Sequence, residues 1–215
     1  MISYEMGKSL YLNLTNRCTN DCDFCVRQQS DNTLTDYLNG AQLWLEKEPE
    51  YDEIIRDIEK RDLLKYDSIV FCGFGEPLMR FDVCISVAKW LKSHGVKHLR
   101  VNTNGQANLI YNKNVAPELC RFFSVVSISL NAKNAQEYEA LCHSKFGLAA
   151  FDGILDFAAE CVKAGAEVIM TVIDELPAED IKICREIAHK HGAELRIRAK
   201  IGEQNNDNAK KRAAE

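Results

Sequence analysis

Residues 11–27, YLNLTNRCTNDCDFCVR, decide how the rest of the chain is read. An apolar strand pattern through Leu10, Leu12 and Leu14 runs into three cysteines, Cys18, Cys22 and Cys25, spaced C-x3-C-x2-C. Structural zinc sites are closed by four ligands and an ordinary [4Fe–4S] cluster by four cysteines, so a nest of three thiolates leaves one metal position open. Phe24 lies in the turn between the last two cysteines, and Arg27 follows two residues after the third. Two other readings fit the triplet taken alone. One is a zinc knuckle completed by a remote ligand, the other a redox C-x-x-C at Cys22 and Cys25.

The rest of the chain sets the frame. With 215 residues and 46% hydrophobic content it can bury a full core, and the expectation is one α/β domain over residues 1–201. The segment 202–215 has almost no apolar anchors and reads as a disordered polar tail. No run of about 18 apolar residues exists to span a membrane, and residues 1–8 lack a leader pattern, which points to the cytoplasm. Nine cysteines, an odd number with three in one nest, fit a reducing compartment better than a disulfide scaffold. A net charge of −5 disfavours nonspecific nucleic-acid binding, which needs clustered Lys and Arg.

Strands alternate with amphipathic helices along the chain, the pattern of a parallel sheet built from βαβ units. Six strands are expected, over 10–15, 68–72, 98–103, 125–131, 167–172 and 194–199. Ile54, Ile55 and Ile58 mark one helix face; Cys84, Val87, Ala88 and Leu91 a second; Ile154, Leu155, Ala158 and Val162 a third; Ile181, Cys184 and Ala188 the last. Residues 26–51 form a long connection. Several strands alternate strictly: Arg100, Asn102 and Asn104 share one face, as do Ser127, Ser129 and Asn131, and Arg196, Arg198 and Lys200. The apolar faces must meet the helices, so the polar faces line a lumen, the other reading being a half-exposed sheet with solvated polar residues. The fold class is therefore α/β, a partial (β/α)6 TIM-like barrel with a parallel sheet, outer helices, and chemistry at the C-terminal strand ends.

The second expected strand ends in FCGFGEP, residues 71–77. Gly73 and Gly75 free the backbone for close approach to a ligand, Pro77 fixes the following turn, and Glu76 supplies a carboxylate acceptor suited to a cationic amine. NTNG, residues 102–105, closes the third strand with a turn at Gly105. Arg198 offers a guanidinium fork for a carboxylate or another anion. Most remaining cysteines fall on apolar faces as small hydrophobes, with Cys72 and Cys142 nearer to strand ends and loops.

Together, YLNLTNRCTNDCDFCVR, FCGFGEPL, VNTNG and ISLNA resemble the radical SAM superfamily, from about Tyr4 to Arg198, and within it the TatD-nuclease-associated subgroup. The resemblance implies that Cys18, Cys22 and Cys25 ligate a [4Fe–4S] cluster whose fourth iron is chelated by S-adenosylmethionine. It further implies cofactor contacts from Phe24, Gly75, Glu76, Pro77, Asn104, Ser129 and Asn131, with Arg198 as a partner for the methionine carboxylate. The implied reaction is reductive cleavage to a 5′-deoxyadenosyl radical that abstracts hydrogen from a substrate not named by the resemblance. A flavodoxin or ferredoxin would supply the electron. Two other classes compete: an activase placing a radical on a partner protein, and a non-catalytic iron–sulfur or zinc binding protein. Six strands leave the lumen open on one side, so the substrate is expected to be a peptide or protein, or a small molecule sealed in by dimerisation or by residues 26–51.

Overall fold

Seven strands form one sheet in the order of the chain, and all neighbouring pairs but the first are parallel. The structure is a computed structural model that describes residues 1–27 and 42–199, so most of the 26–51 connection and the 202–215 tail lie outside the described residues. Strands β1 (Ser3–Met6), β2 (Ser9–Leu12), β3 (Ser68–Phe71), β4 (Leu99–Thr103), β5 (Val125–Ser129), β6 (Glu167–Ile173) and β7 (Glu194–Arg198) make the sheet. Helices α1 (Tyr51–Ile58), α2 (Phe81–Ser93), α3 (Ala107–Tyr111), α4 (Ala116–Cys120), α5 (Ala135–Cys142), α6 (Ala149–Lys163) and α7 (Ala178–Lys190) fill the connections.

The six expected strands are β2 to β7. The seventh, β1, is an addition, pairing antiparallel with β2 through the register Met6↔Ser9. Its two-residue loop starts at Gly7 with φ +59°, as a hairpin turn with glycine first requires. Across the hairpin Tyr4 stacks on Tyr11 at 5.2 Å. The fourth expected strand, set at 125–131, ends at Ser129, because Asn131 turns into the left-handed region at φ 60°.

Burial follows the period of each element. Ile69 and Phe71 of β3, Leu99 and Val101 of β4, and Val126 and Ile128 of β5 are buried, most of them fully. Against them lie the expected helix faces, including Ile54, Ile55 and Ile58 of α1 and Cys84, Val87, Ala88 and Leu91 of α2. Along α6 the buried stripe is Phe151, Ile154, Phe157, Ala158 and Cys161, while Leu155 and Val162 are half-buried at its border. Helix starts are chemically marked. Glu50 and Glu53 form a capping box on α1, and the Asn134 side chain accepts from Glu137 N at 2.9 Å on α5. No helix among the described residues is long and apolar enough to cross a membrane.

The opposite faces of β4, β5 and β7 are polar, while β6 adds Thr171 between Ile169 and Ile173. By register, Asn102 lies level with Ser127, Ser129 with Thr171, Thr171 with Arg196, and Ile173 with Arg198. The alternation read from the sequence thus becomes successive polar layers on the concave side of the sheet.

Candidate functional site

One cavity of about 270 Å³ opens at the C-terminal ends of the strands, and all three motif cysteines reach it. Cys18, Cys22 and Cys25 line its mouth with Phe24, and the turn after β3 contributes Gly73, Phe74, Gly75 and Glu76. Asn104, Ser129, Asn131 and Arg198 line it as well. Pro77 does not; it is buried at the first position of a 3₁₀ turn, Pro77–Arg80, where it sets the chain direction behind the site.

The cysteine loop is held from both sides. Arg27 donates from Nε to Cys25 Sγ at 3.3 Å while its terminal nitrogens reach Asn16 O and Asn20 O. Asn20 N points at Cys18 Sγ at 3.4 Å. Main-chain bonds from Asp21 N to Cys142 O and from Asp23 N to Leu141 O tie the loop to the end of α5. Burial, with a further contribution from the Glu76 carboxylate, pushes the Cys18 thiol up to about 12.

Beneath the loop lies a buried polar network that the sequence did not disclose. Gln106 is fully buried; its carbonyl oxygen accepts from Thr19 at 2.7 Å and Ser144 at 3.2 Å, and its amide donates to Asn20 Oδ1 at 2.8 Å and Tyr138 Oη at 3.0 Å. Asn20 also donates to Tyr138 Oη at 2.8 Å, and Asn104 to Thr19 at 2.8 Å. A network with every member satisfied rigidifies what it joins, here the cysteine loop, the turn after β4 and the end of α5.

Glu76 is 3% exposed, and its carboxylate is already engaged. Oε1 accepts from Leu78 N at 2.9 Å and Thr103 Oγ1 at 2.8 Å, and Oε2 from Asn104 N at 2.6 Å. A carboxylate oxygen accepts about two hydrogen bonds, so Oε2 keeps one acceptor position. Desolvation raises the Glu76 pKa to about 7 against those three donors.

The glycines before it serve a different close approach from the one expected. A Cβ on Gly73 would sit 1.9 Å from Asn13 Oδ1, and one on Gly75 2.4 Å from Thr15 O and Arg17 O. The turn after β3 therefore packs on the segment that leads into the cysteines. Gly75 N bonds Thr15 O and Glu76 N bonds Arg17 O, at 2.9 and 2.8 Å, which fixes one motif relative to the other.

Two polar atoms in the site are buried without partners, Asn131 Oδ1 and Arg198 Nε. Asn131 donates from Nδ2 to Cys142 Sγ at 3.4 Å. Cys142, a buried residue of α5, also hydrogen bonds Cys22; that bond lowers the Cys142 thiol and, together with burial, pushes the Cys22 thiol up. Cys72 lines the cavity too, its thiol raised by burial. Cys84, Cys161 and Cys184 are buried in the core, and all nine cysteines are free. Trp44 is 57% exposed and leans on Phe74 at 6.3 Å.

This donor set fits an iron–sulfur cluster with a bound zwitterion better than a single zinc ion. Three thiols share one mouth, N–H donors face two of the sulfurs, and unused acceptor and guanidinium atoms wait beside them. No three His, Cys, Asp or Glu side chains among the described residues converge on one ion position.

Residues 12–187 match the Radical SAM superfamily, most of the chain, and the protein belongs to that superfamily of enzymes, whose members bind a [4Fe–4S] cluster and S-adenosylmethionine. Among curated proteins it is 29% identical over 196 residues to a probable GTP 3',8-cyclase of Methanocaldococcus jannaschii, covering 88% of this chain and 58% of the relative. Among solved structures it resembles SuiB of Streptococcus suis bound to S-adenosylmethionine, with a TM-score of 0.61 and 16% identity over 94% of this chain and 41% of that one. It also resembles the [FeFe]-hydrogenase maturase HydG of Carboxydothermus hydrogenoformans, with a TM-score of 0.61 and 14% identity over 89% of this chain and 44% of that one. These structural likenesses establish the partial-barrel fold, and the chain spans 58% of the curated relative's length.

Proposed function

We propose that this chain cleaves S-adenosylmethionine reductively and uses the product to abstract hydrogen from a substrate held in the lumen, with Cys18, Cys22 and Cys25 as the cluster ligands. The observation that carries the reading is the convergence of those three thiols, the Glu76 turn and the polar strand faces on one cavity. When bound, cluster and cofactor supply a one-electron cleavage of the sulfonium and hydrogen-atom abstraction at the carbon it frees.

The protein's own groups orient and exclude. Arg27 Nε and Asn20 N hold donors toward the sulfurs of Cys25 and Cys18 and orient them at the cavity mouth. Glu76 Oε2, with its remaining acceptor position, would receive the methionine ammonium, and Arg198 would balance the carboxylate. Ser129, Asn131, Asn104 and Phe24, which line the same cavity, would hold the rest of the cofactor. A second cavity of about 500 Å³ includes Arg17, Cys18, Arg27 and Lys145 in its lining, and these basic groups beside a motif cysteine would suit a one-electron donor such as a flavodoxin or ferredoxin.

Within the superfamily the quoted motifs support the TatD-nuclease-associated subgroup, and nine free cysteines support the cytoplasm. A second reading, an activase acting on a partner protein, draws on the position of β7, which among the described residues pairs with β6 alone and leaves the lumen flank reachable by a large substrate. Such a partner, or a second copy of the chain, would close that flank.

The test is anaerobic reconstitution followed by dithionite reduction with S-adenosylmethionine. Methionine and 5′-deoxyadenosine should form slowly alone and faster with the true substrate. Glu76→Gln should keep the cluster and weaken cofactor binding by roughly 1.5 to 3 kcal/mol, the range for a hydrogen bond to a charged group. A wild-type protein that carries the cluster yet yields neither product would refute the proposal.

A further inference from the structure

Three arginines line the cavity on its concave side, Arg100 from β4 and Arg196 and Arg198 from β7. Glu76 is the one carboxylate among the described lining residues, and it is occupied by its own turn and by the end of β4. Arg100 spends its Nε on Asn102 Oδ1 at 2.7 Å, a bond to a neutral amide on its own strand. Arg198 Nε is buried with no partner. Among the described residues, none of the three forms an ion pair, although Arg17, Arg61 and Arg80 all do.

Their positions are linked. Arg198 feels the Arg196 guanidinium as a repulsive neighbour, and both Arg100 and Arg198 act on Cys72 at the lumen wall. Arg100 and Arg198 are half-buried and Arg196 stands exposed at the rim, and like charges gathered in this way repel one another unless an anion sits among them. Proteins retain such an arrangement where a ligand supplies the missing charge, and guanidinium forks match the paired oxygens of carboxylates and phosphates. S-adenosylmethionine carries a single carboxylate, offset within the same molecule by its ammonium and sulfonium. One guanidinium satisfies that carboxylate and two are left over.

We infer that the lumen contains a subsite for an anionic group of the substrate, a phosphate or a carboxylate, formed by Arg100 and Arg196 with Arg198 shared toward the cofactor. This rests on the reading of the cavity as a radical SAM centre and adds the chemical class of the substrate. Arg196, exposed at the β7 flank, meets the anion on entry, and Arg100, set deeper on β4, receives it. The two strands are separated by β5 and β6, so the subsite draws on two sides of the one cavity that both arginines line.

The experiment uses holoenzyme reconstituted anaerobically and saturated with S-adenosylmethionine. Calorimetric titration with inorganic pyrophosphate, and separately with citrate, reads the subsite; glucose is the neutral control. Saturable binding of at least one anion is expected, with at least a tenfold loss of affinity in Arg100→Gln and in Arg196→Gln. S-adenosylmethionine affinity in both variants should stay within about twofold of wild type. Arg196→Lys, which keeps the charge, should recover most of the lost affinity, and pyrophosphate or citrate should raise the melting temperature of wild type more than of either Gln variant. Preference for pyrophosphate assigns a phosphate to the substrate, and preference for citrate a carboxylate. Absence of saturable binding by both anions, or equal binding by wild type and both Gln variants, overturns the inference while cofactor binding stays intact. Failure of the wild type to bind S-adenosylmethionine strikes the underlying reading instead.

Discussion

On the wall built from the cysteine loop and the turns after β3 and β4, polar side chains satisfy one another: Glu76 with Leu78, Thr103 and Asn104, and Gln106 with Thr19, Asn20, Tyr138 and Ser144. On the wall built from β7, Arg198 keeps an unpaired buried nitrogen and Arg196 finds no carboxylate among the described residues. The first wall is finished by the chain itself and acts as a rigid mount. The second is polar without being satisfied, which is the state of a surface that a ligand completes. Rigidity belongs where a cofactor must be placed, and unspent charge belongs where a substrate arrives.

The largest effect expected on the finished wall is all-or-none. Wild-type protein reconstituted without oxygen should carry about four iron and four sulfide per chain, and Cys18→Ala, Cys22→Ala and Cys25→Ala should each lose them. Cys161→Ala, in the core stripe of α6, should keep the cluster. Iron and sulfide assays decide it, and stoichiometric zinc after the same treatment would break the comparison at its root.

Next in size is Gly75→Ala. The added Cβ would meet two carbonyl oxygens of the chain at 2.4 Å, and backbone atoms cannot step aside as a flexible side chain can. The cost should be about 3 kcal/mol or more, in the range of severe overpacking. Gly7→Ala, at positive φ with nothing within 4 Å, should cost only about 1 kcal/mol. Urea denaturation compares the two; equal losses would mean that the contact between the two motifs is slack.

Glu76 gives a pH signature of the same wall. Its pKa rises from 4.5 to about 7 through burial, so the folded state holds the proton more tightly than the unfolded chain. The contribution of this group to stability is therefore complete below about pH 4.5, declines as pH rises toward 7, and is constant above, a change of roughly 3 kcal/mol. Measured as the difference in unfolding free energy between wild type and Glu76→Gln, the advantage of wild type should shrink across that window. A flat difference, or one growing with pH, would show the carboxylate to be ionised and well solvated by its three donors.

Legibility in the sequence divides along the same line. The thiolate spacing and the period-two alternation in β4, β5 and β7 are local patterns, and they placed the cysteines, Asn131, Arg100 and Arg198 on one cavity. The Gln106 network joins residues far apart in the chain, from Thr19 to Ser144, each of which alone reads as an ordinary polar position, so no local pattern announces it. Gly73 and Gly75 were legible as close-approach glycines, but what approaches them is the Asn13 to Arg17 segment, a fact of tertiary packing. The hairpin strand β1 escaped because four residues give too short an alternation to separate from a loop, and the left-handed turn at Asn131 truncated β5 for a reason that polarity alone does not show.

The smallest effect expected concerns the outer face of the unfinished wall. Leu195 is 8% exposed on β7, whereas Ile197, two residues on and on the same face, is 42% exposed. Contacts between α7 and this strand cover the first and leave much of the second in water. Ile197→Thr keeps the β-branched shape suited to a strand and removes little buried apolar area, so it should change stability by no more than about 0.5 kcal/mol. Leu195→Ala should cost about 2 kcal/mol or more, because it empties a packed position. A loss at Ile197 as large as that at Leu195, together with a change in mass by light scattering, would mean that a second copy covers the flank; the wall would then be completed by protein, and the substrate path would have to enter elsewhere.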